Sequence, residues 1–314
     1  MSDSGTETDP KAADSPEFRG QFDPRYGEPV EVAPLVHRLT ANNPSPFTFH
    51  GTNTYLLGEK SVAVIDPGPP DDDHYNALTA AIAGRDVSHI IVTHTHMDHS
   101  PLARRLAQDT GAPVFAEGPH RPARPLQIGE INPLDASADT DFVPDIALSE
   151  AARIVGDEWE LVTHMTPGHT ANHASFSLTG TDLLFSGDHV MAWATSIVAP
   201  PDGAMADYMA SLDVMLEQTH GTYLPGHGGR VLDAHRFVRA LKSHRRMREV
   251  AVLDQIRKGI VTIPEMVAII YRQTDPRLHK AAGLSVLAHL EDLVARGAVE
   301  TDGDVRIDGT FLAV

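Results

Sequence analysis

The sequence predicts an α/β layered domain that is followed by a small winged-helix-like domain. Short apolar runs at 54–58, 61–66 and 89–92 alternate with helical patterns over about 150 residues, as in α/β proteins. Residues 234–314 hold 13 Lys and Arg against 10 Asp and Glu, whereas residues 1–233 hold 12 against 33. Because this shift in composition coincides with three helical segments and a short β-ribbon, we place a domain boundary at residue 234.

The elements of the first domain, placed at residues 29–233, follow from hydrophobic periodicity. Helices are predicted at 74–83 and 102–109, and further strands at 113–116, 159–163, 174–178 and 183–186. Residues 118–148 carry many Pro and Asp and predict a long surface excursion. The Pro- and Ala-containing stretch at 191–206 predicts a loop over a site.

The two ends of the chain differ in composition. Residues 1–28 are acidic and almost free of apolar side chains, which predicts a disordered tail. In residues 234–314, helices are predicted at 234–258, 264–273 and 281–297. A β-ribbon at 299–307, turning at 302–304, completes the order of a winged helix.

The overall composition excludes several classes of protein. The 314-residue chain is 41% hydrophobic and has a net charge of −18, which opposes binding to nucleic acid and to anionic membranes. Without Cys, it has no thiolate metal site and no cysteine nucleophile. No apolar run approaches the roughly 18 residues of a membrane span, and the N-terminus lacks the apolar core of a secretory signal. We therefore expect a soluble, cytoplasmic enzyme.

The densest group of polar side chains is the motif His94-Thr95-His96-Met97-Asp98-His99, directly after the strand at 89–92. Imidazole and carboxylate at alternating positions suit zinc, which accepts nitrogen and oxygen ligands in compact shells. His94 and His96 are two residues apart and can point the same way from an extended segment. Asp98 and His99 follow and can address a second ion.

Three later residues complete the set. His169, Asp188 and His227 each follow a Gly and a strand-like segment. Gly permits the tight backbone turn that such a loop requires. The chain thus offers five His and two Asp, enough for two ions that share one carboxylate.

These motifs resemble those of the metallo-β-lactamase superfamily, specifically its glyoxalase II-like branch, over residues 30–233. The C-terminal segment and the block Gly51-Thr52-Asn53-Thr54-Tyr55 resemble the subgroup with an appended β-lactamase-associated winged helix. The resemblance implies an αββα sandwich with the site at one edge of two packed sheets.

The resemblance also implies a role for each motif residue. One ion is expected on His94, His96 and His169, the other on Asp98, His99 and His227, with Asp188 bridging both. Asp66 is expected to orient a ligand rather than to bind metal. His173 is open between such an orienting role and ordinary packing.

The implied chemistry is hydrolysis by two Zn²⁺ ions per chain, with Fe or Mn as other occupants of the same ligands. A hydroxide shared by the ions attacks a carbonyl group, while Asp98 and Asp188 neutralise the ions and orient the hydroxide. The expected partner is a small-molecule acyl substrate: a thioester, an ester or a lactone. Trp193, Thr195 and Tyr208 are candidate substrate contacts, and a homodimer is left open.

Other activities remain as alternatives. The main one is a phosphodiesterase acting on single-stranded RNA, because winged-helix members of the family include ribonucleases. The acidic first domain opposes a polyanion, whereas basic residues at 236–248 favour it. A β-lactamase side activity, a mononuclear iron persulfide dioxygenase and a DNA-reading winged helix are minor interpretations. The β-lactamase activity is disfavoured because class B β-lactamases generally lack a bridging Asp at the place of Asp188. The DNA-reading interpretation is disfavoured because residues 281–297 form no dense basic recognition helix.

Overall fold

Two mixed β-sheets pack face to face in the computed structural model, which describes residues 15–127, 130 and 137–314. The first sheet has seven strands in sequential order. These are β1 Val30–Ala33, β2 Val36–Thr40, β3 Asn53–Leu57, β4 Ser61–Ile65, β5 Asp86–Ile91, β6 Val114–Ala116 and β7 Ile146–Ala147. Strands β1 to β4 pair antiparallel, and β4 to β7 pair parallel.

The second sheet has six strands in the order β13-β12-β11-β10-β9-β8. These are β8 Arg153–Val155, β9 Glu160–Met165, β10 Ala174–Leu178, β11 Leu183–Gly187, β12 Thr222–Pro225 and β13 Val231–Leu232. Only β11 and β12 pair parallel, so the ends of these two strands lie side by side.

Helices cover the outer faces of both sheets. The core between the sheets contains Tyr55 from the first and Phe176 and Phe185 from the second. Helices α1 (Asp72–Ile82) and α2 (Leu102–Thr110) pack on the first sheet, and α3 (Met205–Glu217) packs on the second. The predicted αββα architecture is thereby confirmed, although α3 was not predicted from the sequence.

The C-terminal part contains three helices and a β-ribbon. These are α4 Ala234–Arg257, α5 Ile263–Ile270, α6 His279–Ala295, β14 Val299–Thr301 and β15 Phe311–Ala313. The ribbon differs from the predicted 299–307, because the buried Phe311 pairs with Thr301 whereas Ile307 is 45% exposed. Helix α4 belongs to both domains: Phe237 and Leu241 pack on the second sheet, and Val252 and Ile256 pack in the winged-helix core.

Two further segments qualify the sequence-based picture. Of the predicted disordered tail, residues 1–14 lie outside the described residues. From Ser15 on, the tail is ordered against the domain, because Arg19 N–H donates to the Ala192 carbonyl over 2.8 Å and Phe18 contacts Phe237 edge-on. The predicted excursion at 118–148 contains β7, and residues 128–129 and 131–136 of it lie outside the described part. None of the described helices is long and apolar enough to cross a membrane.

Candidate metal centre

The seven predicted ligands lie in four loops that follow strands at one edge of the sandwich. The motif from His94 to His99 follows β5, His169 follows β9, Asp188 follows β11 and His227 follows β12. The structure brings all seven side chains together in overlapping groups that could each hold an ion.

The first group consists of His94, His96 and His169. The Nδ1 atom of His96 lies 3.0 Å from Nε2 of His94 and 3.0 Å from Nε2 of His169. Three ring nitrogens therefore converge on one point, with the His94 and His169 side chains buried.

The second group consists of Asp98, His99 and His227. The Nε2 atoms of His99 and His227 are 3.4 Å apart. Asp98 Oδ2 lies 3.4 Å from His99 Nε2 and 3.2 Å from His227 Nε2. The Asp98 side chain is 24% exposed, so this group borders on solvent.

Asp188 lies between the two groups. Its Oδ2 atom is 3.2 Å from His227 Nε2 and 3.7 Å from His169 Nε2, while its Oδ1 atom is 3.6 Å from His99 Nε2. One carboxylate thus faces ligands of both groups. This is the position that a bridging carboxylate requires.

The hydrogen bonds on the outer nitrogens determine what the histidines offer. Nδ1 of His169 contacts the Ile197 carbonyl at 2.6 Å, and Nδ1 of His227 contacts the Gly51 carbonyl at 3.1 Å. A carbonyl only accepts, so each Nδ1 carries the proton and donates. Each inner Nε2 then faces the cluster and can bind an ion through its lone pair once it carries no second proton.

Asp66 fixes the ring protons of His94 and His99 on their outer Nδ1 atoms in the same way. The Thr93 hydroxyl donates to Asp66 Oδ2 over 2.8 Å, so its oxygen accepts from His94 Nδ1 over 3.0 Å. His99 Nδ1 lies 2.9 Å from the same carboxylate, and the Thr93 backbone N–H donates to its other oxygen. Such outer partners fix the tautomer of metal-binding imidazoles.

The donor set fits a pair of cations. Lone pairs 3.0 Å apart repel unless a cation lies between them, and the buried Asp188 Oδ1 has no hydrogen bond to any described residue. Buried polar groups are otherwise hydrogen-bonded, so this atom indicates a place for a metal ion. With nitrogen and oxygen ligands and no sulfur, the set suits zinc and similar divalent ions.

The electrostatics of the site agree with this interpretation. Burial and the neighbouring imidazoles hold the pKa of His94 well below its usual range and that of His96 at about 3, so both rings are neutral. Burial also opposes a charge on His227, yet Asp188 and Asp98 raise its pKa to about 10. The carboxylates thus create a negative potential that a bound cation would satisfy.

His173 and Gly226 shape the surroundings of Asp188. The Asp188 backbone N–H donates to His173 Nε2 over 3.1 Å, and His173 Nδ1 donates to Thr166 Oγ1 over 2.9 Å. His173 therefore holds the Asp188 loop and does not face the ions. A Cβ atom on Gly226 would lie 2.4 Å from Asp188 Oδ1, so only Gly allows this approach.

The three candidate substrate contacts have different surroundings. Trp193 is half-buried, stacks on Phe49 at 4.9 Å and lies beside Gly228, next to the ligand His227. Thr195 is also half-buried. Tyr208 is wrong as a substrate contact: it is fully buried on α3, and its hydroxyl donates to the His189 carbonyl over 3.0 Å. Because α3 was not predicted, its inward face was mistaken for a loop.

Other residues that support the ligands were missed. Thr52 Oγ1 donates to Asp98 Oδ2 over 3.0 Å, and the Asn53 side chain donates to the Pro225 and Gly228 carbonyls on either side of His227. Both residues lie in the block at 51–55, whose polar residues at the start of an apolar strand were the available signal. Ser196, whose hydroxyl donates to the Asp188 carbonyl, and the buried Arg245, which donates to the Ser196 carbonyl, carried no such signal.

The comparisons with known proteins agree with this fold and site. The model of the metallo-β-lactamase superfamily matches residues 47–227, and that of the β-lactamase-associated winged helix domain matches residues 262–308. Fold and site thus define a two-domain hydrolase with a histidine-rich cluster that could hold metal ions. The chain belongs to the metallo-β-lactamase superfamily.

Named relatives cover most of the chain. A β-lactamase-like protein 2 homolog of Drosophila melanogaster is 28% identical over 290 residues, which are 85% of this chain and 93% of that protein. An atrochrysone carboxyl ACP thioesterase of Aspergillus novofumigatus is 26% identical over 297 residues, 88% of this chain and 82% of the relative.

Solved structures share the fold. A metallo-β-lactamase family protein of Thermus thermophilus superimposes with a TM-score of 0.73 at 23% identity, over 90% of this chain and 100% of that one. A β-lactamase domain protein of Burkholderia ambifaria gives a TM-score of 0.72 at 21% identity, over 93% and 95%.

Proposed function

We propose that this hydrolase is a dinuclear zinc enzyme that cleaves small-molecule acyl thioesters. The observation that carries the proposal is Asp188, whose two carboxylate oxygens face both ligand groups. A carboxylate that faces both groups favours two ions over one. The thioester class is supported by the relatives named as thioesterases of acyl carrier protein substrates.

The residues of the chain would divide the work as follows. The two ligand groups hold the ions, and Asp66, Thr93 and the carbonyls of Gly51 and Ile197 keep the imidazoles in the binding tautomer. Ions so held supply Lewis acidity, which polarises a carbonyl oxygen and generates a water-derived nucleophile at neutral pH. A thioester needs no further nucleophilic side chain.

Asp98 is the ligand best placed to act on the substrate. Its side chain is part-exposed and its Oδ2 atom is fixed by the Thr52 hydroxyl at 3.0 Å. Burial opposes its charge, yet His99 and His227 hold the pKa of Asp98 well below its usual range, so it remains a carboxylate that neutralises the ions and orients the attacking water. Trp193, beside Gly228, offers an aromatic face at the same end of the site.

A substrate panel on the zinc-loaded protein tests the proposal. We expect two zinc ions per chain and hydrolysis of acyl-N-acetylcysteamine thioesters that exceeds hydrolysis of a lactone, nitrocefin or single-stranded RNA. The Asp188→Ala variant is the negative control. One iron per chain with oxygen uptake on a persulfide, or RNA cleavage without thioester hydrolysis, would contradict it.

A further inference from the structure

A mostly apolar cavity with a volume of about 710 Å³ lies at the winged helix. Its apolar wall comes from α5 and α6 through Ile263, Val267 and Leu287, and Pro200 of the first domain also lines it. Small-molecule sites have volumes of roughly 300–1,000 Å³ and mostly apolar walls. The cavity is therefore large enough for a ligand of that kind.

The loop that carries Pro200 is tied to the metal centre at two points. Ile197, three residues earlier, accepts from the ligand His169 over 2.6 Å. Asp202, two residues later, lies 3.6 Å from His120, whose other ring nitrogen contacts Thr95 at 3.1 Å. Thr95 stands between the ligands His94 and His96. The cavity wall and the first ligand group thus share one loop.

Charged side chains border the cavity unevenly. Glu130 is neutralised by Arg124, and Arg306 lies 3.5 Å from Asp308. Lys280 at the start of α6 is exposed and has no carboxylate within ion-pair distance among the described residues. Decanoate, which has the apolar body of an acyl chain and an anionic end, is therefore a suitable probe of an apolar wall with a cation at its rim.

Gly283 keeps the cavity open. It lies inside α6, where Gly costs about 1 kcal/mol of helix stability relative to Ala. A Cβ atom there would lie 3.6 Å from Ile263 and 3.8 Å from Ile307, both of which line the cavity. A larger side chain at this position would enter the cavity without displacing backbone.

We propose that this cavity binds the apolar acyl chain of the thioester, so that the substrate class is medium- to long-chain acyl thioesters. This inference rests on the proposed thioesterase function. The winged helix then determines specificity, because α5 and α6 line the cavity and limit the length of the acyl chain that fits.

The test compares acetyl, butyryl, hexanoyl and decanoyl thioesters of N-acetylcysteamine on the zinc-loaded full chain. We expect kcat/KM to rise about threefold per methylene in the wild type, since burying one methylene favours binding by that order. Gly283→Leu should lose about 100-fold on the decanoyl substrate and less than about threefold on acetyl. Ala295→Leu, which places the same Leu side chain at an exposed position of α6, should retain the wild-type slope.

A binding measurement gives a second readout, and Gly283→Ala guards against misfolding. Decanoate should bind the wild type with a negative heat-capacity change and bind Gly283→Leu at least tenfold more weakly. Gly283→Ala, which favours the helix, should reduce decanoyl turnover more than acetyl turnover. Hydrolysis with no chain-length dependence, or decanoate binding unchanged by Gly283→Leu, would overturn the acyl cavity alone. A dimer abolished by Gly283→Leu would overturn it in favour of a second copy. Absence of all thioester hydrolysis would instead refute the proposed function.

Discussion

The hydroxyl of Ser196 donates to the backbone carbonyl of Asp188 over 2.6 Å and also contacts the His189 carbonyl at 2.8 Å. The next residue, Ile197, accepts from the ligand His169. The guanidinium of Arg245, which is 3% exposed on α4, donates to the Ser196 carbonyl. The loop at residues 196–197 thus positions both Asp188 and His169, which follow different strands. Helix α4, which leads into the winged helix, holds this loop through Arg245.

Ser196→Ala should therefore weaken metal binding. Loss of an outer hydrogen bond at a metal site costs roughly 10–100-fold in affinity. The His189 carbonyl keeps the Tyr208 hydroxyl as a donor, whereas the Asp188 carbonyl loses its own, which should lower the free energy of unfolding by about 1–3 kcal/mol. Zinc competition with a chelator and urea unfolding measure the two effects.

The matched control is Ser177→Ala, which removes a buried hydroxyl bonded to His164 at 2.9 Å between β9 and β10. It should lower stability and leave zinc affinity unchanged. Equal zinc affinity in both variants would show that Ser196 only stabilises the fold.

Asp66→Asn should weaken the ligand group of His99 more than that of His96. Asp66 has a positive φ of 51°, which Asn tolerates, so the backbone is preserved. The amide removes the charge that holds His99 Nδ1–H and leaves fewer acceptors for Thr93. A zinc titration of the variant should show one ion bound with wild-type affinity and the second ion bound with an affinity lower by about tenfold or more. Two unchanged affinities would contradict the orienting role of Asp66.

Asp188→Ala should reduce bound metal from two ions to one or fewer per chain. The carboxylate faces both groups, so its loss leaves both ions with uncompensated charge. We expect turnover to fall by more than the roughly 10–100-fold of an outer-partner mutation. Metal analysis and a steady-state assay measure these losses, with circular dichroism as the check on folding. Full metal content would refute the bridge.

The sequence predicted which seven side chains would meet, because each candidate ligand follows a strand and the ends of neighbouring strands converge at a sheet edge. It could not predict Arg245, because a buried Arg looks like any other cation in the basic segment at 236–248. Tyr208 was misplaced for a related reason: nothing in the Pro- and Ala-rich stretch before it indicated the start of α3. Contacts between distant segments, such as Thr52 with Asp98, depend on how the sheets pack rather than on local pattern.

Stability should fall as the pH drops below about 6.5, because several histidines outside the metal centre are buried and neutral. Burial lowers the pKa of His289 to about 3, and that of His74 and His244 to about 4. Below their ordinary value of 6.5 the unfolded chain binds protons that the folded chain does not. The destabilisation therefore grows from pH 6.5 towards pH 4 and is absent above pH 6.5.

His289→Met isolates one of these groups. His289 is 1% exposed and neither ring nitrogen is hydrogen-bonded to a described residue, so the variant removes an uncompensated buried polar ring. We expect equal or higher stability at pH 7. Between pH 6.5 and 4, the slope of the free energy of unfolding against pH should be smaller in the variant than in the wild type by about 1.4 kcal/mol per pH unit. An unchanged slope in urea titrations across this range would show that His289 is not the buried neutral group described here.

The basic face of α4 separates the thioester from the RNA alternative. Arg239 and Arg246 are exposed, whereas Lys242 is already paired with Asp213 of α3. Of the neighbouring cations, Arg245 turns inward and Arg248 packs over the Tyr271 ring at 4.8 Å. Little free positive charge is left to bind phosphates.

Replacing Arg239, Lys242 and Arg246 together by Gln should therefore have a small effect. If the face guided RNA, the slope of log affinity against log salt would drop by up to about three units. We expect a change below about one unit, and kcat/KM on a neutral thioester within a few-fold of wild type. Fluorescence anisotropy with single-stranded RNA between roughly 50 and 200 mM salt, alongside the thioester assay, measures both. A large salt-dependent loss of RNA binding without any loss on thioesters would reverse the ranking, because it would show that α4 overcomes the repulsion from the acidic first domain.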